Sequence, residues 1–347
     1  MDGEDKTCIT VIICTRNRGA SLHHTLDSLL TPSNLARHDW ELIVVDNGST
    51  DDTKRIATEV AAEFPSHVRA LAEPKRGLSN ARNRGVRAAR GEILAFTDDD
   101  CVCEDGYLAG IREVLGYTEV EVAVGRTLLV LDGKRPVWLN TDLARCLCDA
   151  DFGTELHELP YSEAERFLYG CNMVVRRPVF AKIGGFRPDL GAGATGFCED
   201  TEFGTRALGA GYRIFYVPQI MVRHHPSTGR LKRRMFFGRF FRQGLSEAHF
   251  IDYTRLNPAW NPATPGWRYR IYYAKKTVLE CGRALRLHFA GQPEEAMKVA
   301  LRAFQAAGSF SEYARLHRMG INQAQIPEVV KDETQPAPPC EASSNTL

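Results

Sequence analysis

The sequence has no uninterrupted apolar run approaching the roughly 20 residues a membrane-spanning helix needs, so an integral anchor is not expected. It also lacks a secretory pattern. Acidic residues precede a short apolar run in MDGEDKTCITVIIC, with no small-residue cleavage site after it, so the expectation is a cytoplasmic protein, at most peripheral at the inner face of the plasma membrane. No charge excess is present: 44 Lys plus Arg balance 43 Asp plus Glu, which removes the electrostatic reason to expect nucleic acid as a partner. The ten cysteines include no pair at zinc-knuckle spacing, since Cys101/Cys103 and Cys146/Cys148 are each separated by one residue. They are read as reduced thiols. No glycine pattern matches a Walker or dinucleotide phosphate loop, which disfavours ATP and nicotinamide chemistry. No internal repeat is evident.

What is present is a chain of 347 residues with ordinary globular composition, enough to bury a full α/β core. Its first hundred residues alternate β-branched runs with amphipathic stretches, the pattern of βαβ units. Strands are expected over Ile9 to Thr15, Glu41 to Asp46, Val68 to Leu71 and Glu92 to Thr97, and helices over Ser21 to Leu30, Thr53 to Phe64 and Leu78 to Ala89. Polar residues collect at the strand ends. Ligands of open parallel sheets bind beyond those ends, where Thr15, Asp46 and Asp98 to Asp100 fall. A further strand-like run spans Val122 to Leu131. After an irregular stretch with Trp138, a second patterned half covers Tyr169 to Gly185, Glu199 to Gly209 and Tyr212 to His225.

Thr97-Asp98-Asp99-Asp100 follows the apolar strand directly. Three adjacent carboxylates repel one another, and a divalent cation among them relieves that repulsion. A solvated acidic turn would look the same in isolation. The surrounding blocks carry more: VIICTRNR (Val11 to Arg18), VVDNGSTDDT (Val44 to Thr53), KRGLSNARNRG (Lys75 to Gly85), GEILAFTDDD (Gly91 to Asp100), GCNMVVRRPVFAKIGGF (Gly170 to Phe186) and EDTEFGTRALGAGY (Glu199 to Tyr212). In this order they resemble family 2 glycosyltransferases over roughly residues 7 to 225.

The resemblance implies a GT-A fold, an α/β nucleotide-binding sheet flanked by helices. It implies an inverting, metal-dependent transfer of a sugar from a nucleotide-diphosphate donor, UDP-sugars favoured, to an acceptor hydroxyl in polysaccharide or glycoconjugate synthesis. Asp98 and Asp100 match the ends of the family's Asp-x-Asp motif, Asp98 near ribose or metal and Asp100 on Mg²⁺ or Mn²⁺, with Asp99 sharing either task. Asp46 would grip the nucleobase beside Thr15, and Arg82 would hold base or diphosphate. Asp46 could equally be a turn-former with Asn47, Gly48 and Ser49. Asp200 is the expected base, with Glu199 orienting it or the acceptor; an ordinary acidic first helical turn is the plainer reading. His224 is a candidate further metal ligand, preferred to His225, and a hydrogen-bonded loop histidine is the alternative. Cys14 stands where the family often has proline, and Asn47 where it often has a second aspartate.

Domain boundaries are expected at 1–226 for the catalytic part, 227–326 for a helical region and 327–347 for a disordered tail. From Arg223 to Arg242 there are seven Lys or Arg and no acidic residue, interleaved with Phe236, Phe237, Phe240 and Phe241. Residues 230–250 could therefore lie on an anionic membrane beside a lipid-linked or glycan acceptor, or pack their Phe face on the protein with arginines toward diphosphate or solvent. Two rival functions share the acidic site: a sugar-nucleotide pyrophosphorylase or nucleotidyltransferase, and a non-catalytic sugar-nucleotide-binding protein. The first would need a Gly-rich triphosphate loop near the first strand, for which TRNR is a poor substitute, and the second would have lost carboxylates that are all present.

Overall fold

The computed structural model describes residues 9–116, 119–254 and 266–318. Among the described residues nine strands form one sheet: β1 (Ile9–Thr15), β2 (Trp40–Asp46), β3 (Val68–Ala72), β4 (Ile93–Asp98), β5 (Cys101–Cys103), β6 (Val122–Leu129), β7 (His157–Glu158), β8 (Asn172–Arg176) and β9 (Ile214–His224). Their order is β3-β2-β1-β4-β8-β6-β9-β5, with β7 on β9. The first four are mutually parallel, so Thr15, Asp46 and Asp98 emerge at one edge. β8 runs antiparallel to β4, pairing Asn172 with Thr97, which brings the residues just before β8 to that same edge.

The expected strands and helices of the first hundred residues are all present, with ends shifted by at most two residues. The reason is local: β2 is buried along its whole length, and a strand covered on both faces reads as a continuous apolar run. Alternate residues feed two cores. Ile9, Val11, Ile13, Leu42 and Val44 enter one, while Ile12, Ile43, Val45, Leu94 and Phe96 enter the other.

Three long helices follow the sheet, Arg233–Thr254, Gly266–Phe289 and Pro293–Arg318. Phe236 is buried with Leu139, Leu143, Leu147 and Leu301, and Phe237 and Phe240 pack against that cluster. Trp138 meets Phe236 edge-on at 4.9 Å between ring centroids. The Phe side of residues 230–250 therefore packs inward, as the second of the two readings of that segment expected, while Met235 is 40% exposed. The irregular stretch around Trp138 supplies the cover. No helix among the described residues is long and apolar enough to cross a membrane. The tail expected over 327–347 lies outside the described residues.

Candidate active site at the sheet edge

A cleft of about 1350 Å³ opens at the edge where β4 and β9 end, and its far wall is built by the Arg233–Thr254 and Pro293–Arg318 helices. Arg82, Asp98, Glu199, Asp200 and His224 all line it. Residues separated by more than a hundred positions are thereby gathered at one place. Arg230, Arg239 and Arg242 face them from the helical side.

Arg82 is buried on the Leu78–Ala88 helix, with Nη1 2.7 Å from Glu199 Oε1 and Nη2 3.5 Å from Asp98 Oδ1. Burial opposes its charge, but Glu199, Asp98 and Asp200 outweigh that penalty and keep it protonated. Its guanidinium thus braces two carboxylates, where the family resemblance implied a grip on base or diphosphate. Gly170 is needed beside it, because a Cβ there would collide with the Arg82 guanidinium.

Glu199 and Asp200 open the Glu199–Gly209 helix, as the acidic-turn reading also required. Burial, reinforced by the neighbouring Asp200 charge and opposed by Arg82, pushes the Glu199 carboxyl up to about 7. Asp200 is held differently. Gly170 N–H donates to its Oδ2 at 2.9 Å and Thr201 N–H to its Oδ1 at 2.8 Å, so two amides fix the orientation of a carboxylate that faces the cleft.

The acidic triplet divides into three environments. Asp98 faces the cleft, and burial raises its carboxyl against the pull of Arg82. Asp99 is buried, accepts a 2.7 Å hydrogen bond from Thr15 Oγ1, and is pushed up to about 7 by burial and by Asp100. Thr15 is thereby tied to the triplet. Burial would also raise Asp100, but the His224 ring, Arg230 and Arg18 hold it well below the usual carboxylate range. Arg18 Nη1 lies 2.9 Å and Arg230 Nη1 3.4 Å from its Oδ2.

His224 ends β9 and is buried. Its Nδ1 lies 2.7 Å from the Leu147 carbonyl, which can only accept, so Nδ1 carries the proton. Nε2 is buried without a hydrogen-bond partner and lies 3.4 Å from Asp100 Oδ1. Burial opposes the ring's charge, but Asp100 outweighs it and raises the ring above its ordinary value, so a divalent cation would have to displace the second ring proton before Nε2 and Asp100 Oδ1 could serve as its two donors. No group of three or more His, Cys, Asp or Glu among the described residues forms a complete protein cage. Mg²⁺ and Mn²⁺ do not need one where substrate phosphates supply the remaining oxygens.

Asp46 is buried at the tip of β2, opposite Thr15 in register, and does not line the main cleft. It accepts from Ser49 N–H at 3.1 Å, the turn geometry that the Asp-Asn-Gly-Ser run allowed. Asn47 has a task aspartate could not perform. Its Nδ2 donates to the Glu73 and Lys75 carbonyls, both at 2.9 Å, while Oδ1 accepts from Gly77 N–H at 2.8 Å. Cys14 is half-buried, and burial pushes its thiol up to about 12, so it stays protonated and is a poor nucleophile.

Sequence reasoning missed the Arg18 and Arg230 pairs on Asp100 and the Gly170 amide on Asp200. Arg18 carried a usable signal, since TRNR begins at the tip of β1 next to that of β4. Arg230 did not, because nothing local links residues 130 positions apart.

The sequence profile of Glycosyl transferase family 2 matches residues 10–184, half of the chain. The chain belongs to glycosyltransferase family 2. This enzyme is 27% identical over 260 residues to the succinoglycan biosynthesis protein ExoM of Rhizobium meliloti, covering 74% of its own length and 80% of that protein. It is likewise 27% identical to glycosyltransferase AglE of Haloferax volcanii, over 66% of this chain and 70% of that one. Its fold matches the mannosyltransferase PcManGT of Pyrobaculum calidifontis, solved with GDP-Man and Mn²⁺, at a TM-score of 0.56 and 20% identity, covering 90% of this chain and 88% of that one. The glycosyltransferase therefore has the GT-A fold, and the nucleotidyltransferase and non-catalytic alternatives are set aside.

Proposed function

We propose that this glycosyltransferase transfers a sugar with inversion from a nucleotide-diphosphate donor to an acceptor hydroxyl, with Asp200 as base. The observation carrying this reading is that Asp98, His224 and Asp200 line one cleft. The acceptor oxygen attacks the anomeric carbon opposite the leaving diphosphate. One carbon–oxygen bond forms as the other breaks, the bonding pair leaves with the diphosphate, and the hydroxyl proton passes to Asp200. Asp200 suits this because its two amide contacts hold the carboxylate in the cleft that Asp98 and His224 also line.

Asp100 and His224 would hold Mg²⁺ or Mn²⁺, with Asp98 toward the ribose or the metal and Asp99, bridged to Thr15, keeping the triplet in place. When bound, the cation neutralises charge on the departing diphosphate. Asp46 remains the proposed base-reading carboxylate beside Thr15, and Arg82 sets the positions of Glu199 and Asp98. We take 1–226 as the catalytic part and 227–326 as a C-terminal region whose Arg233–Thr254 and Pro293–Arg318 helices wall the cleft. The name of the Rhizobium relative supports polysaccharide or glycoconjugate synthesis, with a glycan or lipid-linked acceptor. UDP-sugars are the first donors to test, with GDP-mannose as the comparison because PcManGT was solved with GDP-Man.

The test is a single substitution. Asp200→Asn should lower turnover by roughly a thousandfold while calorimetric affinity for the nucleotide donor stays within about twofold. Retained turnover removes Asp200 from the mechanism, and a product with unchanged anomeric configuration overturns inversion.

A further inference from the structure

The Gly266–Phe289 helix contributes no residue to the cleft but packs on the two helices that wall it. Its inner side is marked by Tyr273, buried against Ala248, Ala306 and Tyr313. The opposite side is apolar and uncovered among the described residues: Val278 is 72% exposed, Leu279 71%, Leu285 59% and Phe289 85%. Ile271 and Tyr272 extend the strip toward the start of the helix, at 46% and 56%. Positions 271, 275, 278, 282, 285 and 289 recur at alternating steps of four and three, so they lie along one face. A strip of this kind is unusual on a surface exposed only to water.

Its charge identifies what covers it. Between Gly266 and Phe289 there are six Lys or Arg against one acidic residue, Glu280. Lys275, Arg283 and Arg286 are exposed and interleave with the apolar strip. Two copies of this helix face to face would set like charges beside one another. A surface of anionic lipid headgroups answers both features, taking the apolar side chains into the acyl boundary and pairing the basic ones with phosphates. The helix is about 36 Å long at 1.5 Å per residue, and in this orientation it would lie flat on the interface.

We propose that the exposed face of the Gly266–Phe289 helix docks the enzyme onto an anionic bilayer, with the cleft walled by the two helices beneath it. The docking does not depend on the sugar chemistry, and binding alone reads it.

The full-length protein is sedimented with vesicles of phosphatidylcholine alone and of an equimolar phosphatidylcholine and phosphatidylglycerol mixture. It should partition onto the anionic vesicles and not onto the zwitterionic ones. Val278→Glu with Leu279→Glu should weaken that partitioning by roughly tenfold or more, and Arg283→Glu with Arg286→Glu should abolish the preference for anionic lipid. Because all four side chains are exposed, both variants should melt with the parent. Absence of binding by the parent protein overturns the proposal, as does full binding by the Val278/Leu279 variant. If light scattering shows a dimer that this variant splits, without vesicle binding by the parent, the face belongs to a second copy and the proposal fails.

Discussion

Arg82 Nη1 lies 2.7 Å from Glu199 Oε1 while its Nη2 lies 3.5 Å from Asp98 Oδ1, so one buried guanidinium ties the tip of β4 to the first turn of the Glu199–Gly209 helix. Arg82→Met would leave the buried Glu199 and the cleft-facing Asp98 without their cation. The expected loss is about 3–5 kcal/mol of unfolding free energy, because breaking a buried pair strands the remaining charge. Glu199 can shed that charge by taking up a proton, so the loss should shrink as pH falls. Denaturant titrations at several pH values check this, and a loss that does not vary with pH would mean that Glu199 is not the stranded charge.

The same burial makes the free enzyme's stability depend on pH. Glu199 is raised from 4.5 and Asp99 from 3.8, each to about 7. The native state therefore holds these protons more tightly than the unfolded chain does. Their contribution is fully present below the unfolded values and is lost as pH rises toward about 7. Melting temperature measured across this window should fall with rising pH, and Glu199→Gln should flatten the slope.

Loss of Asp100 tests the cation site. Asp100→Ala removes one of two donors, and His224→Ala removes the other. Each should weaken Mn²⁺-dependent binding of the nucleotide donor by roughly 10- to 100-fold, a range typical of changes at and around metal ligands. Titration of donor with and without the ion separates the effect from a general loss of affinity. Unchanged ion dependence in both variants would show that the ion sits elsewhere.

The parallel half of the sheet was legible because each of its strands is a compact apolar run ending in a polar residue, and β1 has the expected bounds, Ile9–Thr15. The meeting of Asp98 with Asp200 was legible through ordered motifs, since no spacing rule joins positions a hundred residues apart. The direction of the Phe face in residues 230–250 was not. A stripe of Phe236, Phe237 and Phe240 looks the same whether it meets lipid or Leu139, Leu143 and Leu301, and only the tertiary contacts decide. For the same reason nothing in the local pattern of the Gly266–Phe289 helix says which of its apolar residues stay uncovered. Asn47 stands out in the sequence only as a departure bearing on the nucleoside, whereas its amide closes a loop through three backbone contacts.

Two glycines on the Arg233–Thr254 helix should respond to the same change with opposite signs. At Gly244 a Cβ would collide with the Gln305 carbonyl, and at Gly308 on the facing helix one would collide with the Phe241 carbonyl, so the two backbones touch there. Gly244→Ala must force these helices apart at a cost of about 1–3 kcal/mol. The displaced helix carries Arg239, Arg242 and Gln243 into the cleft, so acceptor KM should rise along with the loss of stability. A Cβ added at Gly238 would meet nothing within 4 Å, and the backbone there is not left-handed. Gly238→Ala should therefore gain up to about 1 kcal/mol from helix propensity and leave KM unchanged. Denaturant midpoints and initial rates on the two variants check both signs, and a neutral Gly244→Ala would show that the two helices do not make this backbone contact in solution.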